Sequence, residues 1–278
     1  MQRSWHTCGA LVTGASRGIG RAVARRLAAQ GLRVVVTASE RSRDGLDETV
    51  RQIVEAGGRA RSLCCDLVDA AARADLIAHA AGEGAIDVLI NNAAGISAYA
   101  PPSRIDLDAR RRMLELNLQA PVDLIQQALP AMQAQGFGRI VNIGSEMANQ
   151  PPAPYPGPAK LVHALGYYGV SKAALHRYTE ALAAELHGSG VCINAVLPYK
   201  IVATESAADV VRQTAAVHPD WIEPVEVMAE AVWQLIASGS TGVIGVSRQI
   251  LQSAQAPVHA LDGVTRLGDA LMTQRSTP

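Results

Sequence analysis

Short apolar runs with the length of β-strands alternate with helical patterns along this 278-residue chain. The strand-like runs cover residues 10–13, 32–37, 61–65, 86–90, 138–145, 191–197 and 242–246. Helical periodicity follows them at 22–28, 44–56, 69–81, 107–119 continuing to 132, 168–186, 207–217 and 225–237. Strict alternation predicts a parallel sheet covered by helices on both faces. We therefore predict an α/β fold with a doubly wound parallel sheet. We expect a single domain over residues 1–278, because no repeat, linker or charge block divides the chain.

A glycine-rich turn connects the first strand to the first helix. Its sequence is Gly14-Ala15-Ser16-Arg17-Gly18-Ile19-Gly20. Glycines allow a tight turn and the close approach of a phosphate, and the helix start adds unpaired N–H groups and the positive end of a dipole. The spacing Gly-x-x-x-Gly-x-Gly differs from the common dinucleotide fingerprint Gly-x-Gly-x-x-Gly. The turn indicates a phosphate site, although a purely structural strand-to-helix turn explains the same glycines about equally well.

The end of the second strand bears on which dinucleotide would bind. In dinucleotide-binding folds an acidic residue at this point hydrogen-bonds the ribose of NAD. Ala38 occupies the expected position and Ser39 follows it, while Arg17 and Arg41 supply positive charge. These residues favour NADP(H) over NAD(H), because the additional 2′-phosphate is an anion. Glu40 argues for NAD(H), unless it turns away into solvent.

Tyr168 and Lys172 lie four residues apart at the start of the helical pattern 168–186. Residues four apart share a helix face, so we expect the ammonium near the phenol. A free phenol titrates near ~10, and acid or base work near neutral pH needs a shift of about three units, or roughly 4 kcal/mol. One positive charge about 4 Å away, at an effective dielectric constant near 20, supplies roughly that much. Taken alone, a Tyr-x-x-x-Lys pair more often marks a half-exposed helix surface, and the surrounding motifs favour the catalytic interpretation.

A serine lies upstream of this pair, at the end of the strand-like run 138–145. Ligands of open α/β sheets bind at the carboxyl ends of the strands. Ser145 is therefore well placed to act on the same ligand as Tyr168.

With these motifs in this order, the chain resembles the short-chain dehydrogenase/reductase family. The matching features are Thr-Gly-Ala-Ser-Arg-Gly-Ile-Gly at 13–20, Asp66-Leu67, Asn91-Asn92-Ala93-Ala94, Asn117 within Leu116-Asn117-Leu118, Ser145, and Tyr168 with Lys172. They extend from Thr13 to about Ile201, with general similarity to Val246. The resemblance implies a Rossmann-type fold and NAD(P)-dependent chemistry on a carbonyl or an alcohol, with a ketoreductase as the expected type.

The resemblance also implies roles for four catalytic residues. Tyr168 would give a proton to the carbonyl oxygen or take one from the alcohol, and Ser145 would hydrogen-bond the same oxygen. Lys172 would lower the tyrosine pKa and hold the nicotinamide ribose, and Asn117 would hold a water for proton relay. The alternative explanation of Asn117, as a polar residue that kinks the helix just before Pro121, is compatible with that role. Tyr167 is the rival phenol, but the residue four positions on is Ser171, so we reject it as the acid.

The same resemblance implies a set of dinucleotide contacts. They are Gly14, Ser16, Arg17, Gly18, Ile19, Gly20, Ser39, Arg41, Asp66, Leu67, Asn92, Ala93, Tyr168, Lys172, Pro198 and Ile201.

Three segments depart from the family pattern. The gap from Ser145 to Tyr168 is about ten residues longer than usual, and we expect the proline-rich insert 146–166 to be a lid over the substrate. Tyr155, Lys160, Leu161 and His163 would face the substrate, while Lys160 and Lys200 would suit a carboxylate or phosphate on it. A surface excursion or an oligomer interface is the alternative.

Tyr199-Lys200 replaces a common glycine, and the tail 248–278 lacks the usual Asp-Gly-Gly ending.

The amino-acid composition limits the kinds of partner that we expect this protein to bind. The 25 basic and 25 acidic side chains cancel, which gives no footprint for nucleic acid and no polybasic membrane signal. The four cysteines lack metal-ligand spacing, so we expect no metal and a reduced, cytoplasmic protein. No apolar run reaches the ~20 residues of a membrane span, and the start lacks a signal-peptide core.

We expect a small carbonyl or alcohol substrate and a homo-oligomer, either dimer or tetramer. The alternative function is a non-redox enzyme or a regulatory dinucleotide-binding protein on the same fold.

Overall fold

A computed structural model describes residues 4–82, 84–149 and 163–270. The strands are β1 Gly9–Thr13, β2 Arg33–Ala38, β3 Arg59–Cys64, β4 Val88–Asn91, β5 Gly138–Ile143, β6 Val191–Leu197, β7 Ile201–Val202, β8 Ile222–Glu223, β9 Ile244–Val246, β10 Val258–His259 and β11 Arg266–Gly268. The helices are α1 Gly18–Ala29, α2 Arg43–Glu55, α3 Ala70–Arg73, α4 Leu76–Ala81, α5 Leu107–Leu114, α6 Ala120–Ala134, α7 Gly166–Glu185, α8 Ala208–Ala215, α9 Val225–Ser238 and α10 Ser247–Ser253.

The main sheet has seven strands in the order β3-β2-β1-β4-β5-β6-β9, and every neighbouring pair is parallel. The predicted doubly wound parallel sheet is therefore confirmed. Strand order reverses between β1 and β4, because the chain first builds outward to β3 and then returns to build the other half. In such sheets the crevice at the reversal is where ligands bind.

Successive residues of the central strands serve two separate cores. Val12 and Val141 belong to the core on one face, while Leu11 and Ile140 belong to the core on the other. All four side chains are at most 1% exposed. Because neighbouring residues of a strand point to opposite faces, continuous apolar runs suit a sheet covered on both sides.

One predicted helix is divided in the structure. The pattern 69–81 predicts a single helix, but α3 ends at Arg73 and α4 starts at Leu76. Arg73 is buried, with its guanidinium paired to Asp123 and Glu115 and bonded to the Leu67 carbonyl. At the break, the Gln127 side chain accepts from the Ile77 N–H at 3.3 Å and donates to the Arg73 carbonyl at 3.0 Å, so it takes up the two groups that a continuous helix would bond to each other.

The C-terminal segment joins the core as far as residue 270. It forms α10 and the antiparallel pair β10 and β11. Leu251, Val258 and Ala270 are buried in the same core as α1 and α9. The atypical tail predicted from residue 248 is thus part of the packed structure over its described length.

A buried ion pair connects α1 to α9. Arg26 and Glu230 form two hydrogen bonds, at 3.0 and 3.1 Å, and their side chains are 3% and 4% exposed. His259 on β10 lies 3.4 Å from the same carboxylate. Removal of one partner from such a pair leaves an uncompensated buried charge.

We expect Glu230→Gln to lower the free energy of unfolding by about 3 kcal/mol, because the Arg26 guanidinium would keep its charge and lose its partner. Chemical denaturation would measure this. Glu55→Gln is the matched control, since Glu55 is 60% exposed in its pair with Arg51 and should change stability by less than about 1 kcal/mol. Equal effects of the two substitutions would contradict the assignment of a structural role to the buried pair.

Candidate active site

A cavity of about 840 Å³ lies along the reversal point, at the carboxyl ends of β1, β2 and β4. Twelve of the predicted dinucleotide contacts line it: Gly14, Ser16, Arg17, Gly18, Ile19, Gly20, Ser39, Arg41, Asp66, Leu67, Asn92 and Ala93. The structure therefore brings the glycine turn and three separate strand ends to one cleft. Cavities of this size hold cofactors and other small molecules.

The glycine turn packs too closely to accept side chains. A Cβ on Gly20 would lie 2.5 Å from both the Gly14 carbonyl oxygen and Asn92 Nδ2. Gly14 has a φ of +63°, a conformation that favours glycine. Asn92 Nδ2 donates to the carbonyls of Thr13 and Gly14 at 2.8 and 3.0 Å. This cradle brings backbone close to the cleft, as the binding of a dinucleotide phosphate requires.

The end of β2 presents Ala38, Ser39 and Arg41 to the cavity. Glu40 turns away from it and pairs with Arg43, with one hydrogen bond of 2.7 Å. Positive charge comes from Arg17 and Arg41, as expected. Arg112 on α5 also lines the cleft and was missed by the sequence analysis, because its helical pattern gives no sign of which side faces a ligand.

Ser145 and Tyr168 come together beside this cleft. Ser145 lies two residues beyond the end of β5, and its Oγ accepts a hydrogen bond from the Met147 N–H at 3.2 Å. Burial raises the pKa of Tyr168, whereas a hydrogen bond with Ser145 lowers it, and the nearby Tyr99 phenol raises it further. The net pKa of Tyr168 lies above its ordinary value. The phenol is thus protonated at neutral pH.

Lys172 is 2% exposed and is held by a backbone carbonyl. Its Nζ donates to the Ile143 carbonyl at 2.8 Å and lies 5.9 Å from the centre of the Tyr168 ring. Burial lowers the pKa of Lys172 to about 8. One turn further on, burial lowers the pKa of His176 to about 4.

The lowering of the Tyr168 pKa that Lys172 is expected to cause is not seen here, because the net shift of that pKa is upward. The lysine shares the predicted helix face, but its ammonium points to the end of β5. The loss of hydration on burial is then the largest influence on the Tyr168 pKa, and it raises that pKa. Sequence spacing placed the two residues correctly and could not show this backbone acceptor.

Asn117 lies in a π-helical segment, Glu115–Gln119, between α5 and α6. Its Oδ1 accepts from the Gly95 N–H at 2.9 Å, and its Nδ2 donates to the Gly95 carbonyl and Ser171 Oγ at 2.9 and 3.0 Å. Ser171 Oγ in turn donates to the Tyr168 carbonyl at 2.7 Å. The Asn117 amide therefore ties the cavity wall to the turn of α7 that carries the tyrosine.

This network bears on the predicted water site at Asn117. Both donors of its amide are engaged with protein groups. Pro121 has no N–H, so it cannot close the α-helical bond to the Asn117 carbonyl. That carbonyl is the group we favour for the water, in place of the side chain.

A second polar network was missed by the sequence analysis. Asn91 Nδ2 donates to Asn142 Oδ1, and Asn142 Nδ2 donates to Thr179 Oγ1, both at 2.9 Å. Three buried side chains thereby join β4, β5 and α7. Buried polar groups need partners, so these residues fix the register between the strand that ends at Ser145 and the helix that carries Lys172.

The segment after β6 is anchored by a buried carboxylate. Glu223 accepts hydrogen bonds from the Tyr199 N–H at 3.1 Å and from Ser247 Oγ at 2.8 Å. The Arg248 guanidinium lies 4.2 Å from the centre of the Tyr199 ring. The residues that break the family pattern therefore contact one another. Burial raises the pKa of Glu223 to about 7, against its ordinary 4.5.

Several predicted site residues lie elsewhere. Of the predicted dinucleotide contacts, Tyr168, Lys172, Pro198 and Ile201 are not among the cavity-lining residues, and Ile201 pairs with Ile222 in β7 and β8. Thr204 and Ser206 line the cleft instead. Lys200 Nζ lies 5.6 Å from the centre of the Trp221 ring. Of the predicted lid, residues 150–162, which include Tyr155, Lys160 and Leu161, lie outside the described residues.

The described ranges lack two features. The residues at 4–82, 84–149 and 163–270 contain no cluster of three or more histidine, cysteine, aspartate or glutamate side chains arranged to hold a metal ion. Over the same residues, no helix combines the length and the apolar character needed to span a membrane.

The doubly wound sheet, the glycine cradle at its reversal point and the adjoining serine, tyrosine and lysine define a dinucleotide-dependent oxidoreductase. The family model for short chain dehydrogenases matches residues 9–215, and the chain belongs to that family of oxidoreductases.

Named relatives agree with this assignment. A short chain dehydrogenase of Pseudocercospora fijiensis is 34% identical over 76% of this chain and 65% of its own length. The ketoacyl reductase HetN of Nostoc is 34% identical over 87% of this chain and 80% of its own length. A crystal structure of a 3-oxoacyl (acyl-carrier-protein) reductase from Agrobacterium tumefaciens with NADP bound has a TM-score of 0.76 and 29% identity, covering 87% of this chain and 93% of that one.

We expect the buried Glu223 carboxyl to make stability depend on pH. Because its folded pKa of about 7 lies above 4.5, the folded protein binds the extra proton, and stability falls as pH rises from about 4.5 to 7. A shift of this size corresponds to about 3 kcal/mol. Glu223→Gln should remove most of this fall, as measured by urea denaturation at several pH values. Parallel stability curves for the variant and the wild type would contradict the prediction.

Proposed function

We propose that this protein reduces a ketone to a secondary alcohol with NADPH, or runs the reverse reaction, in the manner of a 3-oxoacyl reductase. The observation that carries the proposal is the arrangement of three side chains at the end of β5. Ser145 follows the strand, the buried Lys172 is bonded to the Ile143 carbonyl, and Tyr168 lies one helical turn before the lysine. The names of relatives support a ketone as the substrate class.

In the proposed reaction, Tyr168 donates its proton to the carbonyl oxygen, and the Ser145 hydroxyl hydrogen-bonds the same oxygen. When bound, NADPH supplies the hydride. Reduction needs the phenol in its protonated form, and the raised pKa of Tyr168 keeps it in that form. Oxidation needs the phenolate, so Lys172 would have to turn from the Ile143 carbonyl toward the ring.

The cofactor residues fit NADP(H) better than NAD(H). The cleft presents Arg17 and Arg41 at the end where the adenosine ribose would lie, while Glu40 is engaged by Arg43. Ala38 leaves no carboxylate at the position that selects NAD. NADP bound in the Agrobacterium relative supports the same choice.

The alternative of a non-redox or regulatory dinucleotide-binding protein is less well supported. Such a protein has no need of a serine, a tyrosine and a buried lysine gathered at one strand end. All three are present, and Asn117 and Ser171 connect the turn that carries Tyr168 to the cleft wall at Gly95.

The insert after Ser145 remains a proposed lid. The turn Glu146–Ala148 follows Ser145 directly, and α7 begins at Gly166, two residues before Tyr168. Both ends of the insert therefore lie at the catalytic residues. The position of these two ends supports a role of the insert over the substrate. Residues 150–162 themselves lie outside the described structure.

We also propose a homo-oligomer in the cytoplasm. Val170 on α7 and Leu107 on α5 are about half exposed, at 52% and 48%, on helices that adjoin each other and would suit a contact between copies. Cys65 and Cys192 are thiols that donate to backbone carbonyls, which fits a reducing compartment.

Tyr168→Phe removes the proton donor and leaves the ring in place. We expect ketone reduction to fall by at least about a thousandfold, within the range for loss of a general acid. NADPH should still bind, which fluorescence titration would show. Tyr167→Phe is the matched control and should retain most activity. Substantial turnover by Tyr168→Phe would rule out the assigned role.

Ala38→Asp places a carboxylate where the 2′-phosphate of NADP would lie. We expect the ratio of kcat/KM for NADPH to that for NADH to fall at least about tenfold, because two like charges a few ångströms apart repel. Ala38→Asn has nearly the same size without the charge and should change the ratio less. Better use of NADH than NADPH by the unmodified enzyme would contradict the proposed preference.

A further inference from the structure

A carboxylate of the chain itself occupies the start of the helix that follows the glycine turn. Glu205 Oε2 accepts the Gly18 N–H at 2.9 Å, and Glu205 Oε1 pairs with Arg21 Nη1 at 3.0 Å. The side chain of the preceding Thr204 lies over Gly18. These two contacts join residues 184 and 187 positions apart in the chain.

Gly18 is the first residue of α1, and its N–H is one of the donors that a helix start leaves unpaired. A dinucleotide phosphate on this turn would use the same donors and the same positive end of the dipole. A carboxylate and a phosphate cannot occupy one N–H together, and their charges repel. The Glu205 side chain therefore stands where the cofactor phosphate would be held.

The segment that carries Glu205 is fixed at its base and loosely packed beyond it. Its two ends meet where β7 pairs with β8, at Ile201 with Ile222 and Val202 with Glu223. Between these ends, every side chain of α8 and of the turns Glu205–Ala207 and Pro219–Trp221 is partly or fully exposed. Segments with few buried contacts move at low cost.

We propose that Glu205 is an internal competitor for the cofactor phosphate site. It holds the segment 203–221 against the glycine turn in the free enzyme and leaves when NADPH binds. The inference rests on the proposed function. Thr204 and Ser206, the neighbours of Glu205 in the chain, line the cleft, so departure of Glu205 changes the shape of this wall. The wall then reaches its final arrangement only after the cofactor has bound.

The strength of the contact suits a displaceable occupant. Glu205 is 57% exposed in its pair with Arg21, and exposed pairs are weak. If the closed form outnumbers the open form by a modest factor, the apparent affinity for NADPH is reduced by about that factor. Arg21 also bonds Thr49 Oγ1 at 3.0 Å and the Ser16 carbonyl, so it stays in place without Glu205.

The test compares Glu205→Ala and Glu205→Gln with the wild type, using NADPH as the probe in fluorescence titration and stopped-flow mixing. We expect Glu205→Ala to bind NADPH about three- to tenfold more tightly, through faster association with unchanged dissociation. Glu205→Gln should fall between, because its amide oxygen can still accept the Gly18 N–H. Amide exchange at Gly18, measured by NMR without cofactor, should accelerate in Glu205→Ala.

Asp209→Asn is the matched control. Asp209 lies on the same segment and is 83% exposed in its pair with Arg212. The Asp209→Asn substitution removes one negative charge, as Glu205→Gln does, but leaves the contact with Gly18 in place, so NADPH affinity should be unchanged. Equal tightening in Asp209→Asn, no tightening in Glu205→Ala, or a gain that comes from slower dissociation would each overturn the proposal.

The outcomes also separate this inference from the proposed function. NADPH binding by the wild type without reduction of any ketone would overturn the proposed reaction and leave the Glu205 comparison intact. NADPH-dependent ketone reduction with no effect of Glu205→Ala would overturn the inference alone. Failure of the wild type to bind NADPH would overturn both.

Discussion

The geometry of the proposed catalytic residues depends on one hydrogen bond, from the buried Lys172 ammonium to the Ile143 carbonyl. An ammonium taken out of water needs a compensating acceptor, and here the last residue of β5 provides it. Ser145 lies two residues beyond that acceptor, and Tyr168 lies one helical turn before the lysine. A single contact between strand end and helix therefore sets the relative positions of all three groups.

Two buried amide networks keep that contact in register. Asn142 couples β5 to Asn91 on β4 and to Thr179 on α7, while Asn117 couples the cavity wall at Gly95 to the first turn of α7 through Ser171. Each amide has protein partners, which is the condition under which buried polar groups rigidify a site. The cleft for the dinucleotide and the proton donor are thus parts of one framework, whereas the segment around Glu205 is only lightly attached to it.

The sequence predicted the features that follow from local pattern. Strand and helix alternation gave the parallel sheet, and parallel strands bring their carboxyl ends to one edge, so most cofactor residues were found together. The pattern could not show contacts made across the chain. Glu223 meets Ser247 24 residues away, Glu205 meets Gly18 187 residues away, and the Lys172 ammonium meets a backbone carbonyl that has no sequence signature. The break between α3 and α4 escaped prediction for the same reason, because Gln127, which bonds the Arg73 carbonyl and the Ile77 N–H there, lies on another helix.

The central claim is that this framework directs a hydride to a ketone while Tyr168 protonates the oxygen. The most direct measurement uses NADPH that carries deuterium in the transferable position of the nicotinamide, together with a panel of ketones and mass spectrometry of the alcohols. The account predicts that at least one ketone gives a secondary alcohol with deuterium on the carbon that bears the hydroxyl. NADPH binding without any labelled alcohol from the panel would contradict it.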